Sequence, residues 1–181
     1  MDRLRAPRIY AGGRWWSGHQ VAGLAEFWRR AIDDACGGAR PTIAALLPAS
    51  AEGVALFLAL ASRPATMVLL PPNPSAWPAP RPDFRSMPLV VPPVMRGVAD
   101  AARCLGMEPV MLPAASGAGA PPDGTDVALL APDVVLFTSG SSGDAKPVVR
   151  TLASKLAGAA TRARALGLRA GEGCLIGVPL T

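Results

Sequence analysis

Cysteine and histidine are scarce in this sequence, and each scarcity excludes a class of chemistry. Cys36, Cys104 and Cys174 are odd in number, far apart and form no C-x-x-C, so neither a disulfide framework nor a zinc site is expected. That usage fits a reducing cytoplasm. His19 is the one histidine. It has no nearby second ligand or nucleophile, which excludes a Ser/His triad within the chain. It falls in the turn-like stretch Trp15-Trp16-Ser17-Gly18-His19 and is expected to be an exposed loop residue. Long apolar runs are missing too. Residues 43–60 are interrupted by Pro48 and Glu52, and Met1-Asp2-Arg3-Leu4-Arg5 leads into no apolar segment. Neither a membrane span nor a signal peptide is expected.

Charged residues make up only 17% of the chain. With a mean hydropathy of +0.30, this argues against wholesale disorder and points to apolar surface that seeks a partner. Lysine is almost absent: arginine supplies sixteen of the eighteen basic residues, dispersed along the chain. The net charge of +5 is therefore a poor signal for polyanion binding, and no nucleic-acid partner is expected. Much of the excess follows residue 144, where Lys146, Arg150, Lys155, Arg162, Arg164 and Arg169 face only Asp144 and Glu172. With half of its 181 residues apolar, the chain can bury a core, as one α/β unit or part of a larger one.

The pattern alternates strands and helices. Residues 24–35 place Leu24, Phe27, Trp28, Ile32 and Ala35 at helical spacing, with Arg29, Arg30, Asp33 and Asp34 largely opposite, and Gly37-Gly38 ends the run. Phe27 and Trp28 are expected in the core. Residues 42–47 and 66–70 are short apolar runs that read as buried parallel strands. They flank a nearly all-apolar helix capped by Ser50. A Pro-rich connection, 71–88, precedes a second unit: strand 89–91, helix 95–105, strand 109–112. A Gly/Ala/Pro/Asp linker at 114–126 leads to strand 133–137, a polar Gly-rich loop at 138–146, a short strand at 148–150 and a helix at 152–166. Gly171 to Gly173 and a last strand at 174–178 close the chain.

The loop carries the chemistry. Thr138-Ser139-Gly140-Ser141-Ser142-Gly143 sets four hydroxyls and two glycines directly after an apolar strand. Gly140 and Gly143 permit positive φ, so successive N–H groups can converge on an anion. The hydroxyls add neutral donors and Lys146 a charged one. The segment is not a Walker A loop, because Asp144 and Ala145 separate Gly143 from Lys146, and it is not G-x-S-x-G, because Ser139 stands where the first glycine belongs. Metal ligands are not suggested, and no catalytic base can be named.

Residues 137–148, Phe-Thr-Ser-Gly-Ser-Ser-Gly-Asp-Ala-Lys-Pro-Val, resemble the phosphate-loop signature of the adenylate-forming superfamily of acyl- and aryl-CoA synthetases, peptide-synthetase adenylation domains and luciferases. Ala145 stands where that family commonly has Pro, and Pro147 where it has Gly. Lys-Pro there, like the Leu-Leu-Pro-Pro-Asn ending at Asn73, is similar to stand-alone acyl- or aryl-acid AMP-ligases. Residues 166–180 resemble the approach to the family's acid-pocket motif.

The resemblance implies an α/β fold. It would be the N-terminal part of the adenylate-forming enzyme fold, a largely parallel sheet flanked by helices, incomplete, with 1–181 as the first part of an AMP-binding domain. It implies ATP and Mg²⁺, a carboxylic-acid substrate, and CoA or an acyl carrier protein as thiol acceptor. It assigns Thr138, Ser139, Gly140, Ser141, Ser142, Gly143 and Lys146 to the nucleotide phosphates. The later family motifs for adenine, ribose and the acid pocket, and the small C-terminal domain with its lysine, are not found before Thr181. The chain alone is therefore expected to be an inactive fragment, or a non-catalytic module that complements another chain.

Overall fold

The computed structural model describes residues 8–37, 42–77, 85–114, 129–130, 132–138 and 146–169. Two short strands, β1 (Arg8–Ala11) and β2 (Arg14–Ser17), form an antiparallel hairpin turned by Gly12 and Gly13, whose φ values of 59° and 77° suit the tight primed turn of such hairpins. Helix α1 (Gly18–Cys36) follows at once. Ser17 accepts from the Gln20 N–H while the Gln20 side chain accepts from the Ser17 N–H, a reciprocal capping box. The helix therefore starts six residues before the expected 24, and His19 is exposed on its first turn rather than in a loop. Gly37 ends it in the left-handed conformation, φ 68°, with its N–H on the Asp33 carbonyl.

The main sheet has six strands in the order β6-β5-β3-β4-β7-β8. Strands β3 (Thr42–Leu46), β4 (Thr66–Leu70), β5 (Pro88–Val91), β6 (Glu108–Met111) and β7 (Asp133–Thr138) are parallel, and β8 (Lys146–Thr151) pairs antiparallel with β7 at the edge. Helix α2 (Ala51–Ala61) joins β3 to β4, α3 (Ala99–Cys104) joins β5 to β6, and α4 (Leu152–Ala165) follows β8. Alternate residues of the strands feed two cores. Ile43, Ala45, Met67, Leu69 and Val134 pack with α1 and α2 on one face. Ala44, Leu46, Val68, Leu70, Leu89 and Val91 pack with Trp77 and Ala102 of α3 on the other. Burial on both faces explains why the central strands read as continuous apolar runs.

Helix α2 lies between the sheet and α1, which accounts for its nearly uniform apolarity. Ser50 caps it, its hydroxyl accepting from the Gly53 N–H. The backbone comes so close to Pro48 that a Cβ at Gly53 would meet the Pro48 carbonyl. The expected helix over 95–105 is divided. Residues Pro93–Val98 form a 3-10 turn in which Met95 leaves helical geometry, and regular α-helix begins only at Ala99. Pro92 and Pro93 withhold two backbone donors, which favours the short, tighter turn. A smaller 3-10 turn, Pro74–Ala76, lies in the Pro-rich connection.

On α1, Glu26 binds both Arg29 and Arg30, and Arg29 also binds Asp33, all at 2.7 to 2.8 Å. Asp33 in turn pairs with Arg63, buried just beyond α2. Burial pushes the Arg63 guanidinium below the usual arginine range, and the like charge of Arg29 adds to this. The Arg29 hydrogen bond holds the Glu26 carboxyl down to about 2, against a partial opposing effect of burial and with help from Arg30. A folded value below the ordinary 4.5 means that Glu26 stabilises the fold above that pH and ceases to do so as pH falls toward 2. After solvent screening the effect is on the order of 1 kcal/mol. Urea midpoints at neutral pH and at about pH 3 should show a smaller acid-induced drop in Glu26→Gln than in the parent.

Candidate functional site

Strand β7 carries the Gly/Ser segment and is held on both faces. Val134 is buried, and Leu136 packs against the α1/α2 core, while Val135 and Phe137 pack against the core that contains Trp77. In register, Met67 and Val68 of β4 stand beside Val134 and Val135. Continuing that offset sets Thr138, the last residue of β7, level with Pro71, the first residue after β4. The backbone there is tied down locally. Trp77 Nε1 donates to the Pro71 carbonyl at 2.6 Å, and the Asn73 side chain accepts from the Ser75 N–H at 3.1 Å.

Thr138 pairs directly with Lys146, the first residue of β8. The two ends of the expected loop are thus cross-strand neighbours in an antiparallel pair. This corrects the expectation that Lys146 belongs to the loop: it begins a strand, because Pro147 and the Val148-Val149 pair continue extended backbone that pairs with β7. The short strand expected at 148–150 is part of that longer one. Lys146 is exposed at this position. Ser139, Gly140, Ser141, Ser142 and Gly143 lie outside the described residues, as do the linker at 115–126 and the strand expected at 174–178.

The hairpin mouth lies at the carboxyl edge of the parallel strands, where β3, β4, β5 and β6 also deliver their connections. Ligands of open α/β sheets bind at that edge. The reversal of strand order itself falls between β3 and β5, whose following helices α2 and α3 pack on opposite faces. Strand β7, which precedes the Gly/Ser segment in sequence, lies two positions from β3, beyond β4. Sequence reasoning missed Trp77 as a fastener of the neighbouring turn, although a Trp beside Pro71-Pro72-Asn73-Pro74 was the available signal. Among the described residues, no group of three or more His, Cys, Asp or Glu side chains converges to hold a metal ion. Among the same residues, no helix is long and apolar enough to cross a membrane.

No family model and no curated protein sequence matches the chain. Solved structures do. The complex of VinN with 3-methylaspartate aligns with a TM-score of 0.61 at 20% identity, over 87% of this chain and 46% of that one. An ATP-bound RpMatB-BxBclM chimera aligns with a TM-score of 0.60 at 19% identity, over 91% and 35%. The anthranilate CoA ligase AuaEII with anthranoyl-AMP gives 0.56 at 18% identity, over 83% and 31%. The fold is therefore the N-terminal part of the adenylate-forming fold, and the chain spans less than half the length of the solved chains it matches.

Proposed function

We propose that residues 1–181 are the phosphate-binding, N-terminal part of an AMP-binding domain that activates a carboxylic acid with ATP. A substrate carboxylate oxygen attacks the α-phosphorus, the bond to pyrophosphate breaks, and the acyl- or aryl-adenylate passes its acyl group to a thiol of CoA or a carrier protein. The observation that carries this reading is the direct pairing of Thr138 with Lys146 at the carboxyl edge of the sheet. It gathers the ends of a seven-residue Gly/Ser connector where an oligophosphate can be wrapped by N–H groups. Likeness to structures that hold ATP or an acyl-adenylate supports the same chemistry.

In this proposal Thr138, Ser139, Ser141 and Ser142 donate from their hydroxyls, Gly140 and Gly143 from their backbone, and Lys146 supplies the cation. These groups position the β- and γ-phosphates and stabilise charge; none of them attacks. Mg²⁺ would accompany the nucleotide as its counter-ion. A cytoplasmic setting matches the reducing conditions that the cysteine usage suggests.

A second reading stands beside this one, for a chain that spans less than half the length of VinN. In it, the chain is a non-catalytic module that works with a complementing chain. The purified 181-residue protein is expected to show no acid-dependent pyrophosphate exchange above that of a Lys146→Ala/Ser141→Ala variant, because the remaining substrate contacts are worth several kcal/mol to the transition state. Exchange well above the variant's rate would show the chain to be a sufficient enzyme. Calorimetric titration of ATP into both proteins checks the site itself, since binding unaffected by the double substitution overturns the phosphate assignment.

A further inference from the structure

Trp77 follows the 3-10 turn Pro74–Ala76, whose Ser75 and Ala76 are exposed, yet it is itself only 8% exposed. A buried indole N–H needs an acceptor, and this one reaches back six residues to the Pro71 carbonyl at 2.6 Å. That bond matters because donors are scarce along the turn. Pro71, Pro72 and Pro74, three of the four residues after β4, have no N–H. The backbone donors that remain close the turn on itself: the Ser75 N–H donates to the Asn73 side chain, the Ala76 N–H to the Asn73 carbonyl and the Trp77 N–H to the Pro74 carbonyl. The indole instead fastens the turn to the end of β4. The same ring sits where β4 and β7 both finish. Leu70, the last residue of β4, shares its cluster, and Phe137, the residue before Thr138, packs against that cluster. The register of β4 and β7 sets Pro71 level with Thr138.

We infer that Trp77 is a positioning residue of the phosphate site: by holding the Pro71 carbonyl it fixes the strand end beside Thr138, and with it the place where Thr138 meets a phosphate. The inference rests on the phosphate-binding reading above and adds to it a group that touches no phosphate itself. Its burial and its bond are both made by residues of this chain. Binding groups must be held to within a fraction of an ångström, and they are held by neighbours whose own positions are locked by packing and hydrogen bonds. Loss of the indole N–H leaves a proline-rich turn with no tie to β4, free to drift against the end of β7. A tryptophan that only filled the core would add stability and leave phosphate affinity alone.

The test titrates inorganic pyrophosphate into the whole chain by calorimetry, with circular dichroism confirming that each variant is folded. Trp77→Phe keeps a ring in the core and removes the N–H, and should weaken binding at least about fivefold. Trp28→Phe removes another buried indole donor, one whose acceptor, the Pro113 carbonyl, lies beyond β6 at the opposite edge of the sheet. It should lower the urea midpoint comparably and change pyrophosphate affinity less than about twofold. Because Trp77 acts through Thr138, the two losses should overlap, and Trp77→Phe/Thr138→Ala should bind within about twofold of Thr138→Ala alone. Unchanged binding by Trp77→Phe, an equal loss in Trp28→Phe, or losses that multiply in the double variant would each reduce Trp77 to core packing and overturn the inference. A different failure is no binding by the parent, or binding that survives Lys146→Ala/Ser141→Ala. That result removes the phosphate assignment itself, and the inference with it.

Discussion

Gly140→Val is expected to abolish binding of ATP and pyrophosphate, while Arg162→Ala with Arg164→Ala leaves it almost unchanged. The reason lies in how the two groups of residues meet a phosphate. Thr138 and Lys146 face one another across β7 and β8, so the intervening connector has to reverse direction within seven residues. A connector that does so while aiming N–H groups inward needs positions with positive φ, and a β-branched side chain strongly disfavours them. In the proposed site valine would also crowd an approaching phosphate oxygen. Arg162 and Arg164, on the last turn of α4, offer only long-range attraction that salt screens over roughly 8 to 10 Å. Titrations of nucleotide at two salt concentrations separate the cases. Normal binding by Gly140→Val together with loss in the double arginine variant would move the site to α4.

Trp28→Ala is expected to destabilise the fold by about 3 to 5 kcal/mol, the range for removing a buried tryptophan. Trp28 is fully buried, at 0% exposure, within the core between α1, α2 and the sheet. Its Nε1 donates to the Pro113 carbonyl at 3.1 Å and so ties α1 to the chain just beyond β6. Alanine would open a large cavity and leave that carbonyl without its donor. Trp28→Phe keeps much of the volume and loses the hydrogen bond, and should fall about 1 to 2 kcal/mol short of the parent. Urea denaturation read by circular dichroism gives both values. A loss below about 1 kcal/mol for alanine would mean that α1 is not integral to the core.

The centre of the fold was legible because local chemistry and burial agree there. Pro48, Ser50 and Glu52 mark the start of α2, and the runs on either side are apolar at every position after their first threonine, as strands covered on both faces must be. The β1/β2 hairpin was not. Trp15 and Trp16 are adjacent and alike, yet one is exposed and the other buried, so residue type gave no alternation to follow. Gly12-Gly13 was the signal that marked it, as Ser17 with Gln20 marked the start of α1. Strand order was beyond reach, since the pairing of β5 with β3 rather than β4 depends on contacts distant in sequence. The chemistry of the candidate site was read from its residue types, but the placement of Lys146 opposite Thr138 was not, because Lys-Pro after a glycine-rich segment reads as loop.

The strand order also sets a timetable for folding. A chain emerging from its N-terminus can complete β3, α2 and β4, and then β5 and β6, before β7 exists. Until β7 arrives, Met67 and Val68 lie on an open, apolar strand edge, which can recruit a neighbouring chain as readily as Val134 and Val135. Closing that gap requires a contact far apart in sequence, the kind that forms slowly. The half-finished sheet is therefore the species most prone to aggregate, and the strand that rescues it is the same one that presents the Gly/Ser segment.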